Sequence, residues 1–422
     1  MRLRFLLGRA GSGKTHTCLQ EIRQALQQDP DGPPLIFLTP EQATFQMERA
    51  LLTAAGGHAP VRATHRAHVL SFQRLAARVM QETGGPGHPR LGPLGKRMLL
   101  RAILQREKGR LQLFGKSASQ PGFIEQLSRT LKELRSYRWR PEDLLAEQER
   151  LQAREQTSPI LPAKLHDLSL VYREFSALVS GRFLDPDEVL DLVAEGIPCS
   201  FVKGAHIWID GFSGFTPQEL HVLRALWKTA EQMTVALCLD EPRLPHELPA
   251  PETDLFAPTR ETYALLLKMA REDGLTTVEV QRLAAQPPPR FRQAAALAHL
   301  EARLFHRPAA VYPHAMGGSS GRIVVTAAAN PAVEVEAAAR EILRLCREEG
   351  FRFREISVIL RHLEGYQGLI QSIFSDYGIP YFIDSRRPIA HHPLVELIRS
   401  AFEVHLSGWA PEPLFRYLKT DL

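Results

Sequence analysis

Cysteine is scarce in this chain: four residues in 422, at positions 18, 199, 238 and 346, with no pair at the C-x-x-C spacing of a zinc or redox centre. That excludes a disulfide scaffold and a cysteine-built metal site, and the apolar surroundings of Cys18, Cys238 and Cys346 mark them as small buried hydrophobes. No apolar run reaches the roughly 18 residues that cross a bilayer. The opening Met-Arg-Leu-Arg-Phe-Leu-Leu reads as a buried strand and not as a secretory leader, because it continues directly into a glycine-rich loop. A cytoplasmic setting is expected. Acidic residues are the minority charge, 47 against 52 lysines and arginines, for a net charge of +5, and the excess is carried by arginine. Guanidinium groups grip phosphate bidentately, so the surplus suits an anionic partner without identifying one.

What is present is more specific. Gly8-Arg9-Ala10-Gly11-Ser12-Gly13-Lys14-Thr15 satisfies G-x-x-x-x-G-K-[ST], preceded by the alternating Leu3, Phe5, Leu7 and followed by a helical pattern. Glycines let the backbone wrap a polyphosphate so that successive N–H groups point at its oxygens, and the helix adds its positive end. In that setting Lys14 would reach the β- and γ-phosphates and Thr15 would ligate Mg²⁺. ATP and Mg²⁺ are therefore the expected ligands. A second element of the same machinery is His206-Ile207-Trp208-Ile209-Asp210, an apolar strand ending in an aspartate placed to hold the same Mg²⁺. A working motor carries a glutamate next, to orient the attacking water. Here Gly211 follows, so hydrolysis should be slow or absent unless Glu219 or another carboxylate substitutes.

Strand patterns at Leu3–Leu7, Leu35–Leu38, Ile207–Ile209 and Val235–Leu239, each followed by a helical pattern, predict an α/β P-loop domain of RecA type. Between them the strand signal vanishes and helical periodicity takes over at Leu75–Glu82, Lys96–Gln105, Phe123–Tyr137, Ala163–Leu178 and Asp187–Ala194. The expected organisation is a first RecA-like domain with its linker over 1–74 and 201–320, a helical insertion over 75–200, and the start of a second RecA-like domain over 321–422. That second unit is expected to run strand Ile323–Thr326, helix Val333–Glu348, strand Ile356–Leu360, helix Leu363–Tyr377 and strand Tyr381–Ile383. These are too few elements for a sheet covered on both faces, which predicts a longer parent protein.

Two loops could meet nucleic acid. Thr39-Pro40-Glu41-Gln42-Ala43-Thr44-Phe45 follows the second strand at the sheet edge where ligands bind, and it reads equally as a helix start. In Ser71-Phe72-Gln73-Arg74-Leu75 the ring and the guanidinium suit a stacked base and a phosphate, while a phenylalanine opening an amphipathic helix also suits the core.

The P-loop, these two loops and the strand ending Asp210-Gly211-Phe212 together resemble the amino-terminal part of AddB, the helicase-like subunit of the bacterial AddAB helicase–nuclease. Ile356-Ser357-Val358-Ile359-Leu360-Arg361 and Gly378-Ile379-Pro380-Tyr381-Phe382-Ile383 are similar to the second motor domain of UvrD-like superfamily 1 helicases. The resemblance implies a heterodimer with an AddA-like motor and nuclease subunit, resecting double-strand breaks for homologous recombination while scanning the 3′-ended single strand for Chi. It implies Gln42, Thr44, Phe72, Arg74 and Phe212 as contacts to that strand. The family is an ATP-dependent 5′–3′ exodeoxyribonuclease, whose nuclease domain and cysteine-ligated [4Fe-4S] cluster would lie in a carboxy-terminal region that this sequence does not contain. No catalytic residue is assigned here, and weak or no ATPase activity and no nuclease activity are expected. The alternatives are an active superfamily 1 DNA translocase fragment and a P-loop small-molecule kinase.

Overall fold

The computed structural model describes residues 2–53, 65–85, 87–118, 120–153, 159–240, 254–275, 277–306, 308–312, 323–383, 389, 392–420 and 422. The chain divides into two compact units, Met1–Ile323 and Val324–Leu422.

Along the first unit, β1 (Arg2–Gly8) leads through the P-loop into α1 (Lys14–Gln28), and β2 (Leu35–Leu38) leads into α2 (Thr44–Leu52). Next come β3 (Ala67–Leu70) and α3 (Phe72–Thr83), then the helices α4 (Pro93–Arg106), α5 (Pro121–Ser136), α6 (Pro141–Gln152), α7 (Ile160–Val179) and α8 (Val189–Gly196). The alternation then resumes with β4 (His206–Ile209), α9 (Pro217–Thr229), β5 (Gln232–Cys238), α10 (Ala257–Glu272), β6 (Val278–Arg282) and α11 (Ala295–Arg303). Among the described residues six strands form one all-parallel sheet, in the order β3-β2-β4-β5-β1-β6.

Alternation along the strands builds both layers of core. Leu3, Phe5 and Leu7 of β1, Ile36 and Leu38 of β2, Ile207 and Ile209 of β4 and Met233, Val235 and Leu237 of β5 face one apolar cluster, which α3, α8, α9 and α10 complete. The intervening Leu6, Leu35, Phe37, Trp208 and Ala236 face the other, closed by Cys18, Leu19 and Ile22 of α1 and Leu51 of α2. An all-parallel sheet is covered by helices on both faces, which is why its strands read as near-continuous hydrophobic runs. Helices α4 to α7 close a separate core around Leu100, Leu104, Leu131, Val171 and Phe175.

In the second unit, α12 (Pro331–Glu348), α13 (Gln367–Asp376), α14 (Pro393–Leu406) and α15 (Pro411–Leu418) are present. Val335, Ala339 and Ile342 pack with Ile370, Phe374 and Ile379. The three segments expected as strands here, Ile323–Thr326, Ile356–Leu360 and Tyr381–Ile383, form no paired strand among the described residues. Their apolar spelling gives β-propensity only, and propensity makes a strand only where a neighbouring strand supplies the ladder. Val325, Ile359 and Phe382 are accordingly 94%, 92% and 89% exposed.

No helix among the described residues is long and apolar enough to cross a membrane.

Candidate nucleotide site and the neighbouring sheet edge

Six strands end on one edge of the sheet, and the polar sequence sits there, as open parallel sheets dictate. At the end of β1 the chain turns through Gly11 at φ +75° and Gly13 at φ +98°, a region that L side chains rarely adopt. Gly8 is required for another reason: a Cβ there would stand 3.1 Å from the Leu283 carbonyl and against the Ser12 hydroxyl. Lys14 Nζ donates to the carbonyls of Gly8 at 2.7 Å and Arg9 at 3.0 Å, arching over the loop. The Ser12 hydroxyl is buried inside the cradle without a hydrogen-bond partner among the described residues.

The structure brings the two metal-ligand candidates together. Thr15, in the first turn of α1, donates through Oγ1 to Asp210 Oδ2 at 2.5 Å across the end of β5. Burial pushes the Asp210 carboxyl above the ordinary range, opposed by the Thr15 hydroxyl, the Gly211 N–H and Lys14. A hydroxyl and a carboxylate side by side are hard oxygen donors of the kind Mg²⁺ selects, so the donor set fits the ion.

A cavity of about 550 Å³ opens beside the loop, lined among others by Gly8, Arg9, Asp240, Arg282, His299 and Glu301. No local motif announces this wall, because its residues are scattered along the chain from β1 to α11. The segment leaving β6 is stitched to the P-loop: Leu283 N–H donates to Leu7 O at 2.8 Å and Arg290 N–H to Gly11 O at 3.3 Å. Arg9 Nε reaches Glu301 Oε1 at 2.9 Å, and its Nη2 reaches the Glu301 carbonyl at 2.8 Å.

Neither position considered for a water-activating glutamate supplies one. Gly211 stands at φ +88°, where a Cβ would come 3.0 Å from Pro40 Cδ. Glu219 is committed to a helix cap, accepting from the Thr216 N–H at 2.8 Å and from the Thr216 hydroxyl at 3.1 Å.

The family model described as "ADDB, N-terminal" matches residues 5–301, a stretch that includes the P-loop, the Thr15–Asp210 pair and the strand edge beside them. The chain belongs to the AddB N-terminal family. It is 53% identical to the B subunit of the ATP-dependent helicase/deoxyribonuclease of Moorella thermoacetica, 50% to that of Heliobacterium modesticaldum and 41% to that of Bacillus cereus. Each match takes in 100% of this chain but 36%, 34% and 35% of the relative, so the chain spans about a third of the length of these curated relatives.

The residues that the AddB resemblance assigns to DNA are placed differently from one another. Gln42 is exposed, in the short 3₁₀ turn between β2 and α2. Thr44 is buried, its hydroxyl donating to the Glu41 carbonyl at 2.9 Å. Phe72 is 5% exposed, its ring edge-on to Phe212 at 5.6 Å and to Phe215 at 6.2 Å. Phe212 itself is half-buried against the same core. Arg74 is held at 3.2 Å by both Glu41 and Glu48.

Proposed function

We propose that this chain is the helicase-like, ATP-binding and single-stranded-DNA-binding part of a heterodimeric helicase–nuclease that resects double-strand breaks for homologous recombination and scans for Chi. The observation that carries the reading is the preformed P-loop with Thr15 and Asp210 paired beneath it. The relatives' description as a subunit of an ATP-dependent helicase/deoxyribonuclease supports it, and supports an AddA-like partner.

In this reading the phosphates lie on the N–H groups of residues 9–15, and Lys14 leaves the carbonyls of Gly8 and Arg9 for the β- and γ-oxygens. Thr15 and Asp210 hold Mg²⁺, which neutralises phosphate charge when bound. The cavity beside Arg282 and His299 takes the nucleoside end. With Gly211 following Asp210 and Glu219 tied to Thr216, neither of these positions orients an attacking water. The nucleotide is therefore held rather than turned over quickly, and the motor work falls to the partner. The DNA lies along the neighbouring edge, past β2 and β4, within reach of Gln42 and Phe212.

Lys14→Ala tests the reading. A lost charge-assisted contact to phosphate should weaken binding of a fluorescent Mg²⁺–ATP analogue by roughly 10- to 150-fold. Single-strand affinity, read by anisotropy, should stay within about twofold, since it would draw on other strand ends. Parallel loss of both affinities would overturn the separation of the sites, and a wild-type chain that binds no nucleotide would overturn the reading itself.

A further inference from the structure

A single exposed hydrophobic residue on a surface needs no explanation. Phe45 is different in where it stands and in what stands beside it. It lies in the first turn of α2, just past the 3₁₀ turn that follows β2, and is 72% exposed. Its backbone is firmly held. The adjoining Thr44 is buried and bonded to Glu41, and the far end of the helix is clamped by Arg23, whose guanidinium donates to the carbonyls of Leu51 at 3.2 Å and Thr53 at 3.0 Å. The ring is thus presented to solvent by a fixed helix.

Its neighbours on the same face are polar. Gln42 precedes it by three positions and Arg49 follows by four, the spacing that aligns side chains along one stripe of a helix, and both are exposed. Two carboxylates of the same segment, Glu41 and Glu48, are both occupied by Arg74. Arg49 has no carboxylate partner among the described residues, so its charge is available to a ligand. A protein-docking patch would surround the ring with apolar side chains, whereas the next one along this stripe is Leu52, two turns away. An amide, an aromatic ring and an uncommitted guanidinium stand in a row, which suits a chain of stacked bases and phosphates.

We propose that Phe45 and Arg49, in line with the Gln42 that the resemblance already assigns to the strand, form a stacking and phosphate-contacting face for single-stranded nucleic acid, with Phe45 as its platform. The proposal rests on the single-strand reading above and adds an accessible ring beside the buried one of Phe72.

The test is anisotropy of a labelled oligothymidylate titrated with the full chain at two salt concentrations. Phe45→Ala should weaken binding by roughly 5- to 150-fold, the range that one stacked base supports, while Phe45→Trp retains it. Arg49→Ala should flatten the dependence of log affinity on log salt by about 0.7, one phosphate contact on a single strand. If wild type binds and Phe45→Ala binds equally well, this inference fails and the single-strand reading stands. If wild type does not bind even at low salt, both fail. Loss in Phe45→Ala and Phe45→Trp alike, with a lowered melting temperature, would make the ring structural and overturn the proposal.

Discussion

At the scale of single residues, the nucleotide site is decided as much by Gly211 as by Lys14. Its φ of +88° lets its N–H turn back to the Asp210 carboxylate, and any side chain there would meet Pro40. Writing a motor's glutamate into this position should therefore not yield a motor. Gly211→Glu is expected to cost about 1–3 kcal/mol in stability and to leave ATP turnover at the wild-type level. Calorimetry and a phosphate-release assay check both halves; robust turnover with an unchanged melting temperature would show that the backbone accommodates the carboxylate. Sequence alone identifies the missing glutamate, but not the positive φ that keeps the place closed. The P-loop is legible residue by residue because its spelling is its mechanism. Phe72 and Phe45 are not, since both begin helices and only packing separates a ring against Phe212 from one facing water.

At the scale of elements, four of six strands can be read from the chain within a few residues of their ends: β1, β2, β4 and β5, all interior and apolar on both faces. The two that escape, β3 and β6, are the edges. Val278-Glu-Val-Gln-Arg282 alternates with charge, as an edge strand does to avoid pairing with another molecule, and that dilutes its strand signal. Edge strand β3 carries a titratable device of its own. Burial, then the nearby Arg78, push the imidazole of His68 down to about 4, from an ordinary 6.5. Between those values the unfolded chain binds a proton that the folded chain refuses, so this group's contribution is complete above pH 6.5 and is lost as pH falls toward 4. His68→Gln should flatten the loss of stability between about pH 6.5 and 5, measured by urea denaturation. Parallel curves for variant and wild type would show that His68 titrates normally.

At the scale of the whole molecule, only the first unit holds the P-loop, the paired Thr15 and Asp210 and the sheet that positions them. A ligand stabilises only the unit that binds it. Mg²⁺–ATP at 100 times its dissociation constant should raise the stability of the first unit by about 2.7 kcal/mol and leave the second where it was. Differential scanning calorimetry would show one transition moving past another; a single transition that shifts as a whole would mean that the two units unfold together. The organisation of the second unit is the least legible part of the chain. Its helices announce themselves by periodicity, whereas a strand exists only by virtue of a neighbour, and the apolar runs at 356–360 and 381–383 name no partner.

β5 and β4 stand between β1 and β2, so the ends of β1 and β2 are three strand spacings apart, roughly 14 Å. Counter-ions at physiological ionic strength damp a charge over about 8 Å, but at 0.01 M only over about 30 Å. A polyanion seated at the end of β1 is therefore nearly invisible from the end of β2 in a cell, and plainly felt there in dilute buffer.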